Sequence, residues 1–259
     1  MGANMKTMRS TRALAAVSMT AVVAFGVTAC GDDDDTATVA FTTPADGARV
    51  AGGVHLAMTA DGLTIEKAGE AHAGAGHFHV IADDGCGAKG AAVAKDADHV
   101  HFGGGQSEGT VYLEPGEHEL CLQAGDGSHV ALGVTDTVKV TVGITDRDEW
   151  CAVVDETDRL FAAVDNSGDE FTVKQAGYEN IRRLFRQLDG GIDQVDADVR
   201  EDVRAVLGFG ESLAATVATA TDEADAIAKS EEFWEGEQGD TTLPGADWID
   251  TTCGVDIDG

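Results

Sequence analysis

Basic side chains are scarce in this chain. Lys and Arg total 17 against 47 Asp and Glu, a formal charge of −30. Such a surface repels nucleic-acid phosphates and gains nothing from an anionic membrane face. The acidic residues alternate with apolar ones, so the chain still reads as globular, with a composition suited to a salty medium. No phosphate-binding Walker loop, dinucleotide fingerprint or H-E-x-x-H motif is present. Histidine is missing from residue 130 onward, and all eight lie between His55 and His129. Because imidazole titrates near neutrality and is the commonest metal ligand, that asymmetry is the main functional clue.

Long hydrophobic runs are also missing, apart from residues 13–27. Lys6, Arg9 and Arg12 precede that run, and Val27-Thr28-Ala29-Cys30 ends it. It is shorter than the roughly 20 residues a membrane helix needs, and reads as a secretory signal over residues 1–29. Its end resembles the lipobox of bacterial lipoproteins, which implies a diacylated Cys30 and a cell-membrane anchor on the extracytoplasmic face. An ordinary secretory cleavage site is the alternative. Removal of the three signal cations leaves 47 acidic against 14 basic residues, a formal charge of −33. The acidic stretch after Cys30, through residue 37, reads as a solvated tether.

Cysteine is limited to five residues. With Cys30 lipidated, four remain, and an oxidising compartment favours disulfides. Four cysteines allow three pairings. The division into two halves favours Cys86–Cys121 and Cys151–Cys253.

Residues 38–143 carry short alternating runs bounded by Gly, Pro and Asp. Seven strands are expected, at 38–42, 54–59, 77–82, 99–102, 110–113, 118–123 and 137–142, as in an immunoglobulin-like antiparallel β-sandwich. Residues 146–259 show helical periodicity from a cap at Asp146 or Asp148. Further helices are expected near 173–188, 197–219, 222–234 and 246–251. This half reads as a small disulfide-linked helical bundle. Trp150, Trp234 and Trp248 are expected to pack between helices. The fold class is therefore α+β in two domains.

Within the β half, His77 and His79 share one strand face, and His99 and His101 share another. If Phe78, Val80, Val100 and Phe102 point into the sandwich, both pairs point outward. On neighbouring strands, four imidazoles would meet on an exposed face. Such a set suits zinc or copper, or else a small ligand. His129 is a further candidate ligand, and Glu108 and Asp83 are candidate ligands or supports. Neutral imidazole binds metal, so affinity is expected to collapse below about pH 6. The alternative is a structural or interaction lipoprotein with a hydrogen-bonded His network. His118 shares a face with Leu120 and Leu122 and is expected to pack. His55 is expected at the surface, and His72 lies in a Gly/Ala-rich loop.

Five pieces, FTTPADGARV, GHFHVIAD, HVHFGGGQSE, PGEH and GDGSH, occur in order from about residue 39 to 142. They resemble a bacterial family catalogued as domain of unknown function 4399. That resemblance implies an envelope β domain and supplies no activity. Phe78 stands where the family has a middle His, Gly104 replaces a Lys, and Leu132 falls where a further His is common. The helical half is similar, more loosely, to domains of other secreted actinobacterial proteins, through Trp150-Cys151 and Cys253-Gly254.

Enzyme readings are weaker. Residues 105–109 fit G-x-S-x-G, but the TVYLEPG segment after them alternates like a strand, whereas a nucleophile elbow needs a helix there. His99, His101, Glu108 and His118 resemble a cupin metal set, yet the spacing is short for that double-motif fold. A binding protein is therefore expected rather than an enzyme. The helical half would serve as spacer or as contact for an envelope protein partner.

Overall fold

The alternation in residues 54–61 already separates inside from outside. Val54, Leu56 and Met58 are buried, while His55 and Thr59 are exposed. Apolar side chains at every second position place one strand face on a core. In the computed structural model, which describes residues 37–94, 96, 98–166, 171–236 and 245–255, this pattern builds two facing sheets. The signal segment, Cys30 and most of the acidic tether lie outside the described residues. Among the described residues no helix is long and apolar enough to cross a membrane.

Among the same residues nine strands form: β1 (Thr38–Thr43), β2 (Ala48–Val50), β3 (Val54–Asp61), β4 (Thr64–Ile65), β5 (Ala75–Ala82), β6 (His99–Phe102), β7 (Glu108–Val111), β8 (Gly116–Gly125) and β9 (Ala131–Val142). One sheet has the order β1-β3-β7; the other runs β2-β9-β8-β5-β4, with β6 also on β5. The sandwich is not wholly antiparallel, since β2 pairs with β9 and β4 with β5 in parallel. Those two strands are three and two residues long, too short for alternation to reveal. Phe78, Val80, Leu120, Leu122 and Val140 from the larger sheet meet Val39, Val54, Leu56, Met58 and Val111 from the smaller one.

The described part of the second half holds five helices: α1 (Arg147–Asn166), α2 (Phe171–Gly190), α3 (Arg200–Ala218), α4 (Glu223–Gly236) and α5 (Ala246–Cys253). Asp146 caps α1 by accepting the Glu149 N–H at 2.9 Å. Residues 197–199, expected in α3, instead form a turn in which Asp196 C=O accepts the Val199 N–H. Trp150 is fully buried with Leu184, Leu188, Val203 and Ile249. It donates its indole N–H to Leu188 C=O and packs edge-on against Trp248. The side chain of Trp234 lies outside the described residues. Cys151–Cys253 joins α1 to α5, and Cys86–Cys121 closes within the β half.

The sandwich and helices share one compact unit, Thr36–Gly259. The reason lies at an open edge. Among the described residues, strand β6 pairs only with β5, and β7 only with β3, which leaves an open side of the sandwich there. Polar side chains of α2 meet that side of the sandwich. Arg183 donates to Tyr112 C=O at 2.6 Å and pairs with Asp98 at 3.1 Å. Buried Gln187 accepts the Gly52 N–H and donates to the carbonyls of Gly52 and Leu113. Arg49 of β2 is bidentate to Glu149 of α1. A cavity of about 250 Å³ remains between this edge and α2.

Gln187→Leu would leave the Gly52 N–H without its acceptor and remove a donor from two buried carbonyls. Stability should fall by about 2–4 kcal/mol, read as a lowered urea midpoint with an unchanged m-value. An unchanged midpoint would show that α2 is not held to the sandwich this way.

Candidate functional site

Strand β5 is buried at all eight positions. Its core face carries Phe78, Val80 and Ala82, and its other face carries His77, His79 and Ile81. The register fixes the neighbours. On β6, His101 lies opposite His79 and His99 opposite Ile81. On β8, Gly125 lies opposite His77, Gln123 opposite His79 and Cys121 opposite Ile81.

Two glycines, Gly103 just after β6 and Gly125 on β8, give the imidazoles room. A Cβ on Gly103 would sit 2.0 Å from His101 Cε1, so that ring leans across a slot no other residue leaves free. A Cβ on Gly125 would sit 2.9 Å from His79 Nε2. His129 enters from a turn built by Asp126, whose Oδ1 accepts the N–H groups of Ser128 at 2.8 Å and Val130 at 3.0 Å. That turn holds His129 at φ +65°, a left-handed conformation uncommon outside glycine.

The result is a compact cluster of four imidazoles. All six ring pairs among His77, His79, His101 and His129 have centroids 4.6–5.7 Å apart. His77 and His79 share an Nε2···Nε2 hydrogen bond of 3.0 Å, as do His101 and His129. One ring of each pair donates and the other accepts. Ligand atoms of His77, His101 and His129 lie within 4.8 Å of one another.

The face is covered rather than exposed, which departs from the sequence expectation. His77 and His79 are 0% exposed, and His101 and His129 are half-buried. Ala68 and Gly69 N–H groups donate to Gly103 and Gly127 C=O beside the cluster, and segment 84–93 forms a roof at Gln123 and His129. Cys86 ties it to β8 through Cys121. Its other end pairs with the strand after His129: Gly90 N–H donates to Ala131 C=O, and Val93 N–H to His129 C=O.

Burial sets the protonation state. It lowers His79 to about 3 and His77 to about 4, and the neighbouring imidazoles add to both shifts. Asp126 opposes the shift at His77. Both rings are therefore neutral at physiological pH.

Other candidates lie apart from this cluster. His99 points its Nδ1 at Asp96, 2.8 Å away. Asp83 accepts from His118 Nδ1 at 2.7 Å, and His118 Nε2 donates to Glu114 C=O, so His118 is hydrogen-bonded rather than simply packed. Glu108 lies on β7, in the opposite sheet, paired across from Ala57. The cupin-like set of His99, His101, Glu108 and His118 is thus divided among separate environments. After Ser107 the chain enters a strand rather than a helix. His55 is exposed, and exposed His72 pairs with Glu66. Phe78 lies on the core face of β5, 0% exposed. A residue at that position does not reach the His face, so its departure from the family pattern removes nothing from the cluster.

Two features were missed from sequence. Gln123, on the cluster face of β8, is fully buried, and among the described residues neither its Nε2 nor its Oε1 has a partner. The Nδ1 atoms of His77 and His79 are likewise buried without partners. The spacing of His79 before Gly103 and Gly125 carried no signal until the register was known.

Residues 56–143, from β3 through β9, match the family model described as a domain of unknown function (DUF4399). All four clustered histidines fall inside the matched span. No curated protein matches the chain. Among solved structures, the X-ray structure of the endo-beta-1,4-mannanase from Thermotoga petrophila is 18% identical with a TM-score of 0.28. The match covers 45% of this chain and 22% of that one, a likeness too slight to inform fold or activity.

The unfolded chain takes up a proton on each imidazole near pH 6.5, whereas folded His77 and His79 resist protonation down to about 4 and 3. Stability is therefore complete above pH 6.5 and falls on acidification through those values, by up to about 1.4 kcal/mol per pH unit for each group. Thermal melting of metal-free protein from pH 7 to 4.5 should show this slope, and His79→Gln should flatten it. Equal slopes in both proteins would contradict a neutral buried His79. Gly103→Ala should displace the His101 ring and shift its imidazole NMR resonances; unchanged resonances would show that the slot is not needed.

Proposed function

We propose that the β half is a binding module for a transition-metal cation, copper or zinc, held by His77, His79, His101 and His129. The observation that carries the reading is the convergence of four imidazoles from three separate segments on one covered sheet face. Metal–nitrogen bonds of 2.0–2.1 Å in a tetrahedral site imply nitrogens roughly 3.3 Å apart. The two Nε2 pairs stand at 3.0 Å, and ligand atoms of His77, His101 and His129 lie within 4.8 Å of one another, so an ion would have to draw the two pairs together. The donor set fits borderline cations and is poor for calcium or magnesium, which take oxygen ligands.

A hydrogen-bonded His network without metal is the competing reading, and the two short Nε2 pairs favour it. Both readings leave the Nδ1 atoms of His77 and His79 buried without partners, so those atoms do not decide between them. The sequence expectation of weakening near pH 6 moves downward for these two groups, because protons compete for them only near pH 4 and below. We further propose that Cys30 anchors the protein by lipid to the extracytoplasmic face of the cell membrane, with the helical half as spacer or contact for an envelope protein.

Metal-stripped protein should take up one equivalent of Cu(II) or Zn(II) in calorimetry, with a raised melting temperature. His101→Gln and His129→Gln, both at half-buried positions, should weaken binding at least about 10-fold. No stoichiometric uptake and no change in melting with either ion would remove the metal reading and leave the network.

A further inference from the structure

Gln123 has no structural partner to explain its burial. It is 0% exposed, and among the described residues neither end of its carboxamide makes a hydrogen bond. An amide buried this way lowers stability unless something else satisfies it. Three observations place that something in the His cluster. Gln123 is the cross-strand partner of His79, so the two side chains rise from the same face about 5 Å apart. The His79 ring lies against Gly125, two residues along β8 from Gln123. From above, Gly87 of the roof closes on the amide: a Cβ there would sit 3.3 Å from both Nε2 and Oε1. Gly87 therefore closes one side of the carboxamide, on the same strand face that carries His79.

We propose that Gln123 is a further ligand of this site, its carboxamide oxygen contacting the cation that the histidines hold. The inference rests on the metal reading above. It adds an oxygen donor to the imidazole nitrogens without adding charge. A cation at this point would satisfy the buried carboxamide oxygen. The same logic gives the residue opposite effects on the empty and loaded protein, which a merely structural glutamine would not show.

The test uses the full chain and the nearly isosteric Gln123→Leu, with Cu(II) alone as probe. Without metal, the variant should melt about 3 °C or more above wild type, since it removes an unsatisfied buried amide. With Cu(II), its affinity should fall at least about 10-fold, and its electron paramagnetic resonance spectrum should differ from wild type. Gln123→Glu, which keeps an oxygen donor, should retain binding. Equal affinity and an identical spectrum in Gln123→Leu would overturn the assignment while leaving the metal reading intact. A lower melting temperature for metal-free Gln123→Leu would also overturn it, by showing that the amide makes structural bonds. Absence of Cu(II) binding in wild type would defeat the metal reading itself, and this inference with it.

Discussion

The register of β5 between β6 and β8 is the constraint on which the rest depends. Side chains on a strand alternate between faces, and a slip of one residue exchanges them. Here the core face carries Phe78 and Val80 and the opposite face His77 and His79. A one-residue slip of β5 would bring two imidazoles into an apolar core and two large apolar groups under the roof. Both faces thus hold the same register, one by hydrophobic burial and the other by the fit of rings into glycine slots. The absence of any exposed position on β5 is a consequence of that double use.

Holding β5 in place requires closing the sandwich around it. Among the described residues the β6–β7 side is open, and an open side is costly when apolar side chains lie just behind it. Arg183 and Gln187 of α2 supply hydrogen bonds beside that edge. Trp150 in turn locks α1 to the end of α2 through Leu188 C=O. The helical half is therefore part of the mechanical support for β6, and so for His101. The roof depends on a different anchor. Cys86 is exposed, but its partner Cys121 is buried on the cluster face two residues from Gln123. The disulfide thus ties a surface loop directly to the strand that carries the site.

Much of this was legible in the sequence, for identifiable reasons. Alternation in GHFHVIA and HVHF gave the shared faces of His77, His79, His99 and His101, because periodicity is a local property. The signal failed where geometry is not local. Whether His99 or His129 completes the cluster depends on register and on a turn. Asp96 draws His99 aside, whereas the Asp126 turn aims His129 inward. Burial of the His face was also invisible, since a roof of small and polar residues looks like any loop. Gln123 carried no mark because a polar residue on an alternating strand reads as solvent-facing. Only the roof contributed by residues 84–93 makes it buried.

The chain's charge and its site pull in different directions, and the difference bears on selectivity. A formal charge of −30 draws cations of every kind toward the surface. At physiological salt that attraction is screened beyond roughly 8 Å, and it does not distinguish calcium or magnesium from copper or zinc. Imidazole nitrogens, in the site proposed above, would distinguish them. Hard cations gain little from nitrogen donors and would give up their water to reach them, whereas borderline cations gain strong bonds. Among the described residues, three nearby carboxylates have other partners: Asp126 bonds within its turn, Asp96 pairs with His99 and Asp83 with His118. An acidic protein could present a selective nitrogen site of the proposed kind only if its own carboxylates were kept from the ion, and these hydrogen bonds engage three of them.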